Sequence, residues 1–327
     1  LLAVLGGMSR APVERSPQVG STSSRQSNVA RSPAPGSVWM VEQHGQTSVY
    51  SNGLEVRNDF QTVGAARLFR PLTRAGLQPA EVHLKPVGIV FHTSESWMAP
   101  FEAPGNESLK RFGLGLLANA RHNRLYNFVI DRFGRVYSIV PAMQAANHAG
   151  NSVWADSKFV YVNLNQSFIG ISFEAQTGAS SLSAVNDAQI HAGQVLTQML
   201  RSVYGIAEAD CVTHAQVSVN PAKMFIGYHT DWASSFPFRE IGLSEGYANP
   251  IAGVSVFGFR YDNGFLQAIG GRPWQGLVSA EKQLIQEAAA LGMTPDAYRG
   301  MLQKRYKDTI GGRENLAAAE EIQHEQS

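Results

Sequence analysis

The sequence has 327 residues, and at roughly 150 residues per domain it can form one large domain with appendages or two smaller domains. Its 27 Lys and Arg residues nearly balance its 26 Asp and Glu residues, which leaves a formal net charge of +1. So small a charge excludes a global field that attracts nucleic acid or an anionic membrane surface, and we expect no nucleic-acid partner. With 44% hydrophobic and 16% charged residues, the chain is expected to be globular.

Cys211 is the one cysteine of the sequence, which excludes an internal disulfide and any metal site made of several cysteines. A metal site must therefore rest on histidines and carboxylates. No apolar run approaches the roughly 20 residues that cross a bilayer, so no membrane span is expected. Residues 1–7 (Leu-Leu-Ala-Val-Leu-Gly-Gly) resemble the end of a signal-peptide apolar region and predict secretion.

The N-terminal part of the chain divides by composition. Residues 1–36 hold the signal remnant and a stretch rich in Ser, Pro, Gly, Arg and Gln. Because so few large apolar residues cannot offset the entropy of ordering, this stretch is predicted to be a disordered linker. Residues 37–80 contain short β-type runs, with a hairpin turn signal at Asn52 and Gly53, and are predicted to form a small β appendage.

Residues 81–245 alternate between strand and helix patterns. Short apolar runs predict buried strands, and amphipathic stretches after Asn106 and before Gly205 predict two long helices. This alternation is typical of an α/β fold, here a central mixed β-sheet flanked by helices. The predicted strands of this part are residues 87–91, 126–130, 136–140, 168–174 and 211–214.

From residue 246 onward the pattern is helical. Ser279 begins one predicted helix that Gly292 ends, and Pro295 begins a second. Residues 246–310 are therefore predicted to form a helical annex that contains a C-terminal helical hairpin. Residues 311–327 are polar and are predicted to be a disordered tail.

Three histidines occupy positions from which they can meet. His92 stands at the C-terminal end of a predicted buried strand, before a polar turn, and His214 holds the same place after another strand. His229 follows on a nearby loop. Two strand ends of one sheet can converge, so these imidazoles can converge on a metal ion. The alternative for His92 is a strand-end histidine that bonds to the backbone.

Five stretches resemble, in the same order, the motifs of one known family. They are residues 89–94 (Ile-Val-Phe-His-Thr-Ser), 126–135 (Tyr-Asn-Phe-Val-Ile-Asp-Arg-Phe-Gly-Arg), 147–150 (Asn-His-Ala-Gly), 167–174 (Ser-Phe-Ile-Gly-Ile-Ser-Phe-Glu) and 213–232, which includes Thr213-His214, Lys223 and Asp231-Trp232. The family is that of the zinc-dependent N-acetylmuramoyl-L-alanine amidases of type 2, which share their fold with phage lysozyme-type amidases and peptidoglycan recognition proteins. The resemblance covers about residues 85–235.

The resemblance implies a zinc site with His92 and His214 as ligands. The third ligand departs from the family pattern, because Lys223 is followed by Met-Phe-Ile-Gly instead of x-Asp-Pro-Gly, and Phe225 cannot bind zinc. Catalytic zinc generally has three protein ligands and a water. His229 is therefore predicted to be the third ligand, Asp231 is the alternative, and a chain without an intact site is the remaining possibility.

The resemblance also assigns roles to further residues. Tyr126 and Lys223 are expected to stabilise the oxyanion. Glu174 is expected to carry the proton, since Ser172 stands where some family members have a glutamate and Glu174 shares its strand face. The alternative for Glu174 is an ordinary strand-end carboxylate. Contacts with the substrate are expected from His148, Thr93 and Asn127.

Together these features imply hydrolysis of the amide bond between N-acetylmuramic acid and L-alanine, with Zn²⁺ as the cofactor and peptidoglycan or muropeptides as partners. Such a substrate implies an extracytoplasmic location, in the periplasm or cell envelope. Two alternatives stay open: a binding module of the same fold with a degenerate metal site, and a zinc amidase or peptidase that acts on another amide. A thiol hydrolase built on Cys211 is not favoured, because His214 at i+3 faces the other side of a strand.

Overall fold

The structure is a computed structural model that describes residues 36–177 and 185–325, with side chains as far as residue 310. Apart from Gly36, the predicted signal remnant and linker of residues 1–36 lie outside the described residues. From Gly36 onward the described residues form one compact unit. Within these ranges, no helix has both the length and the apolar character that crossing a bilayer requires.

The described residues contain one large sheet and three small ones. Their strands are β1 (Met40–His44), β2 (Thr47–Tyr50), β3 (Glu55–Arg57), β4 (Ala65–Ala66), β5 (Leu72–Thr73), β6 (Gly88–Thr93), β7 (Phe128–Ile130), β8 (Val136–Ser138), β9 (Gln144–Ala145), β10 (Val153–Ala155), β11 (Phe159–Val162), β12 (Phe168–Phe173), β13 (Cys211–Thr213), β14 (Val219–Asn220) and β15 (Phe225–Ile226). The large sheet has the order β1-β2-β3-β8-β7-β12-β6-β13. Strands β7, β12, β6 and β13 are parallel and β8 is antiparallel to β7, so the central sheet is mixed, as predicted.

Helices cover both faces of this sheet. The helices of the described residues are α1 (Asn106–Asn123), α2 (Leu164–Ser167), α3 (Asp187–Tyr204), α4 (His214–Val217), α5 (Ala252–Phe257), α6 (Asn263–Ala268), α7 (Gln275–Ala290) and α8 (Pro295–Glu325). Phe128 and Ile130 of β7 belong to the core that α3 completes, whereas Val129 between them packs with α1. Side chains alternate along a strand, so α1 and α3 lie on opposite faces. Because both faces are covered, β6 and β12 are buried along their whole length.

Both ends of α3 follow from local chemistry. Asn186 and Gln189 form a reciprocal capping box at its start, which satisfies two backbone N–H groups that the first turn leaves free. Gly205 ends the helix with a φ of 69°, as the sequence predicts, because glycine adopts the left-handed conformation without a Cβ penalty.

The predicted β appendage of residues 37–80 is continuous with the central sheet. Strands β1, β2 and β3 pair antiparallel, and β3 pairs parallel with β8 through Val56 and Val136. Val56 and Leu54 join the same hydrophobic core as α3. The first three strands therefore extend the central sheet.

The predicted C-terminal helical hairpin is formed by α7 and α8. Leu284 and Ala288 of α7 pack against Tyr298 and Leu302 of α8. Helix α8 continues to Glu325, through the stretch predicted to be a disordered tail. The reason is that this stretch is rich in Ala, Glu and Gln, which are good helix formers.

We expect Leu277→Ala in α7 to lower the free energy of unfolding by about 2–5 kcal/mol, because it opens a cavity in the core shared by α5, α6 and α7. Leu277 is 0% exposed, whereas the adjacent Val278 is 48% exposed. Val278→Ala is the matched control and is expected to change stability by less than about 0.5 kcal/mol. Denaturant titration followed by tryptophan fluorescence measures both. If Leu277→Ala lowered the stability only of a separate, minor unfolding transition, the annex would unfold independently, against this expectation.

Candidate functional site

His92 and His214 lie side by side at one edge of the central sheet. His92 is in β6, and His214 begins α4 directly after β13, which pairs parallel with β6. The register places Thr213 beside Phe91, so the residues that follow them, His214 and His92, reach the same edge of the sheet. The two buried rings are 4.4 Å apart between centroids. The strand ends therefore converge, as the sequence led us to expect.

Asp231 joins these two histidines. Its Oδ2 lies 3.1 Å from Nδ1 of His92, and its Oδ1 lies 2.8 Å from Nδ1 of His214. Burial alone would raise the pKa of Asp231, but the hydrogen bonds with His214 and His92 outweigh burial and hold that pKa well below its usual value. Burial also lowers the pKa of His92 to about 4, an effect to which His214 adds and which Asp231 opposes. At neutral pH an ionised carboxylate thus faces a neutral His92.

His92, His214 and Asp231 form a group that can hold a metal ion. Each side chain offers one ligand atom, and these atoms all lie within 4.8 Å of one another. Two imidazole nitrogens and one carboxylate oxygen are a donor set that catalytic zinc sites use, with the fourth position left for water. By the chemistry of its donors, the group fits such an ion.

His229, the predicted third ligand, lies beside this group and not within it. Its ring stacks on His214, with centroids 4.7 Å apart and planes 17° apart. Its backbone N–H donates to Ser218 Oγ at 2.9 Å, and its side chain is exposed. The ring therefore lies at the rim of the site, and Asp231, the alternative, is the third member of the group that can hold a metal ion.

Tyr126 covers His92 from another side. The two rings are 5.1 Å apart between centroids, and Tyr126 has a φ of 57°. Burial raises the pKa of Tyr126 to about 12, and the charge of Asp231 adds to the rise, while the hydroxyl of Ser172 opposes it. The phenol therefore stays protonated and can donate a hydrogen bond. Ser172 is in register with His92 across β12 and β6, so both face this side of the sheet.

His148 and Thr93 lie next to the group but are engaged inside the protein. Nδ1 of His148 is 3.2 Å from Nε2 of His92, and Nε2 of His148 is 3.2 Å from the Phe168 carbonyl. Both ring nitrogens of His148 thus have protein partners. Thr93 is buried, and its hydroxyl donates to Glu95 Oε1 at 2.6 Å.

Asn127 and Lys223 are not members of the group of three side chains. Asn127 is 0% exposed, and its amide nitrogen donates to three backbone carbonyls at 3.0–3.2 Å while its Oδ1 accepts from Gly170. The side chain of Asn127 is therefore engaged inside the protein, and its contact with a substrate stays a prediction. Lys223 is exposed in the turn between β14 and β15, and no ion pair within the described ranges includes it.

The comparison with known families bears on this site directly. Residues 83–231 match the family model described as N-acetylmuramoyl-L-alanine amidase (Amidase_2), and that range contains His92, His214 and Asp231. Over this range the chain is similar to the type 2 amidase family. We call residues 83–231 the amidase segment. No curated protein is significantly similar to the chain in sequence.

Several solved amidase structures are similar to the chain. A selenomethionine AmpD derivative is 20% identical with a TM-score of 0.34, covering 56% of this chain and 93% of that one. The amidase AmiD from E. coli, in complex with the substrate anhydro-N-acetylmuramic acid-L-Ala-D-γ-Glu-L-Lys, is 19% identical with a TM-score of 0.35, covering 60% and 64%. The amidase LysC from Clostridium intestinale is 18% identical with a TM-score of 0.30, covering 55% and 94%. At such values these likenesses add no argument to the family match.

Within the amidase segment, Glu174 is tied to a different part of the fold. Its Oε2 accepts the N–H of Arg132 at 2.9 Å, and its carboxyl borders Gly113 of α1. Burial raises the pKa of Glu174 to about 7, opposed by the Arg132 N–H. The other charges that act on it belong to Asp131 and to the side chains of Arg132 and Arg135, not to the histidines.

Glu95 is a carboxylate whose charge does reach the site, and it was not among the predicted residues. Its charge raises the pKa of Tyr126. Its Oε1 accepts from the hydroxyl of Thr93 and from both the hydroxyl and the N–H of Thr177, at 2.6–2.7 Å. Glu95 has a φ of 51°, in the sparsely populated left-handed region. The polar turn after His92 was the sequence signal that could have identified it.

A cavity of about 630 Å³ opens beside the site. Thr93 and Trp232, the neighbours of two of the candidate ligands, line one side of it. Gln176 and Ser234 add polar groups, and Gln267 of α6 contributes a wall from the helical annex. The space next to the candidate ligands is therefore shared between the amidase segment and the annex.

Glu174→Gln is expected to make stability less dependent on pH. A carboxyl whose pKa is raised from 4.5 to about 7 on folding makes its full contribution to the free energy of unfolding below pH 4.5. That contribution is lost as the pH rises through 7. The wild-type protein should thus lose up to about 3 kcal/mol from this group between pH 5 and pH 8, whereas glutamine stays neutral. Urea unfolding at both pH values measures this. Glu107→Gln, at an exposed carboxylate of α1, is the control, and equal pH dependence in Glu174→Gln and wild type would contradict the expectation.

Proposed function

We propose that the protein is a zinc-dependent amidase that hydrolyses the bond between N-acetylmuramic acid and L-alanine in peptidoglycan. The observation that carries the proposal is the carboxylate of Asp231, held between the Nδ1 atoms of His92 and His214. The family match over the amidase segment supports the class of substrate. Peptidoglycan or muropeptides are the proposed partners.

Zinc is the proposed metal, with His92, His214 and Asp231 as its ligands in place of the predicted His229. When bound, it would polarise the amide carbonyl and lower the pKa of a water molecule toward about 7. The protein holds the three donors in a buried position, so little reorganisation is needed for binding. His229, stacked at the rim, is proposed to contact the substrate.

Tyr126 is proposed to stabilise the oxyanion. Its protonated phenol stands beside His92, where it can donate a hydrogen bond to the carbonyl oxygen as that oxygen becomes negative. Lys223, predicted for the same task, is exposed in the turn between β14 and β15, and its role stays a prediction.

Glu95 is proposed to carry the proton in place of Glu174. One proton of the attacking water passes to the carboxylate and then to the amine nitrogen, while the new C–O bond forms and the C–N bond breaks. The three donors on Oε1 orient this carboxylate and leave Oε2 for the reaction. The contacts of Glu174 with Arg132 keep that carboxyl elsewhere.

The cavity beside Thr93 and Trp232 is proposed to receive the stem peptide. Its volume of about 630 Å³ can hold a short peptide, and Gln176 and Ser234 offer polar groups within a largely apolar lining. Since peptidoglycan lies outside the cytoplasmic membrane, an extracytoplasmic location in the periplasm or envelope is proposed as well.

Zinc binding distinguishes the two candidates for the third ligand. We expect Asp231→Asn to weaken zinc binding by more than the roughly 100-fold that the loss of an outer partner costs. His229→Ala is expected to retain the metal, because its ring lies at the rim. Zinc content after equilibrium dialysis measures both variants. A His229→Ala protein that loses zinc while Asp231→Asn keeps it would restore His229 as the ligand.

Digestion of intact peptidoglycan tests the reaction. The zinc-loaded protein is expected to release free stem peptides, which mass spectrometry identifies, and Asp231→Asn is expected to release none. Glu95→Gln should slow release by about 10²–10⁴-fold, the usual contribution of a general acid–base group, while Glu174→Gln stays close to wild type.

The same digest separates the alternatives. Sugar chains that are bound but uncut would indicate a muropeptide-binding module instead of an enzyme. Cleavage inside the peptide would indicate a zinc peptidase or an amidase of different specificity.

A further inference from the structure

One wall of the cavity beside the candidate ligands is formed by the end of β6 and by the residues that follow β6 and β12. The N–H of Glu95 donates to the Ala175 carbonyl at 3.1 Å. The side-chain amide nitrogen of Gln176 donates to the Ser96 carbonyl at 2.8 Å. Because these bonds join the two segments, the polar side chains of this wall have fixed positions.

The hydroxyl protons of this wall are directed at Glu95. Oγ1 of Thr93 and Oγ1 of Thr177 lie 2.6 and 2.7 Å from Oε1 of Glu95, a carboxylate oxygen that can only accept. A hydroxyl has one proton and two lone pairs, so the oxygens of these two threonines are left with acceptor capacity alone. Both threonines line the cavity, and so does Gln176, whose Oε1 is a further acceptor. The wall therefore offers acceptors to the N–H groups of a ligand.

The charges around the cavity favour the same kind of ligand. The carboxylate of Glu95 lies directly behind the two threonine hydroxyls. Among the described residues, those that line the cavity carry amide, hydroxyl or apolar side chains, and none is charged. Residues 178–184, which lie outside the described ranges, contain no charged side chain in their sequence. A carboxylate that entered the cavity would lose hydration, meet no cation there and lie near a like charge.

The cavity also begins close to the candidate ligands. Thr93 and Trp232, which line it, directly follow His92 and Asp231 in the chain. If the amide bond of L-alanine is cleaved at that group, the next residue of the stem peptide is the one that reaches this wall. In stem peptides that residue bears a carboxyl group, which is free in some cell walls and amidated in others.

We propose that this cavity selects stem peptides in which the residue after L-alanine carries a carboxamide instead of a carboxylate. A carboxamide can donate N–H groups to the oxygens of Thr177 and Gln176, whereas a carboxylate brings only acceptors and a negative charge toward Glu95. The inference rests on the proposed function, which supplies the stem peptide, and it specifies which form of that peptide is preferred.

Two muropeptides that differ in one group test the selection. They are N-acetylmuramoyl-L-Ala-D-isoglutaminyl-L-Lys and its counterpart with D-γ-Glu, and both carry the same lysine ammonium. A chelator prevents hydrolysis while isothermal titration of the full chain measures binding. The Kd of the amidated form is expected to be about 10–100-fold lower. Equal Kd values, tighter binding of the carboxylate form or no binding of either form would overturn the proposal.

A cation placed in the cavity should reduce the preference. Ser234 is an exposed residue of the lining, and Ser234→Lys is expected to lower the Kd of the carboxylate form about 5-fold while that of the amidated form changes little. Ser157→Lys makes the same change at an exposed residue outside this lining and should leave both Kd values as in wild type. A fall of the carboxylate Kd in both variants would contradict a local effect.

Removal of one acceptor should act on the other form. Thr177→Val keeps the shape of the side chain and the N–H that donates to Glu95, but it lacks the hydroxyl oxygen. The variant is expected to bind the amidated form about 3–10-fold more weakly and the carboxylate form almost unchanged. An equal loss for both forms would show that this oxygen does not discriminate between them.

Hydrolysis separates this inference from the proposed function. In an equal mixture of the two muropeptides, the zinc-loaded protein is expected to release the amidated peptide first, as mass spectrometry measures. Release of both peptides at equal initial rates would overturn the selection and leave the amidase activity standing. Tighter binding of the amidated form without release from either would refute the activity and leave the selection standing.

Discussion

The carboxylate of Asp231, shared between His92 and His214, is the contact on which the rest of the site depends. An ionised carboxylate that is almost fully buried is costly unless its oxygens are paired. Here each oxygen meets one imidazole nitrogen, and the Asp231 carbonyl accepts from Ala215 as well. The three side chains therefore fix one another. Moving His92 by one position along β6 would turn its ring to the other face and leave one oxygen of a buried carboxylate unpaired.

The helical annex holds the loop that carries this carboxylate. The hydroxyl of Tyr247 donates to the Trp232 carbonyl at 2.7 Å, and the indole of Trp274 donates to the Ala233 carbonyl at 3.1 Å. The rings of Tyr247 and Trp274 stack 5.0 Å apart between centroids. The two residues that follow Asp231 are thus anchored by side chains from outside the amidase segment. The annex therefore contributes to the geometry of the site as well as to the stability of the fold.

Local patterns predicted the central sheet, the two long helices and the C-terminal hairpin, and they placed His92 and His214 at neighbouring strand ends. The third member of the group could not be read in the same way, because Asp231 follows His214 by 17 residues and β14 and β15 lie between them. That hairpin also carries Lys223 into an exposed turn, although its distance from His214 along the chain resembles the family pattern. Glu174 shares a strand face with Ser172, as predicted, but a shared face does not determine which neighbour a side chain meets. The pairing of β3 with β8 joins segments 80 residues apart and left no local signal.

A buried cation lies on one side of the site, an anion lies on the other, and neutral rings lie between them. At the back, Arg67 is 3% exposed, and its guanidinium donates to the carbonyls of four residues on the chain around β9 and β12. Carbonyl oxygens satisfy its N–H groups but do not cancel its charge, and burial lowers the pKa of Arg67 only to about 10, so it remains a cation at neutral pH. At the front stands the anion Asp231, and between the two lie the neutral rings of His148 and His92. This order draws the proton of a neutral His92 toward Asp231 and away from Arg67, and a divalent cation at the front would complete the pairing of the carboxylate.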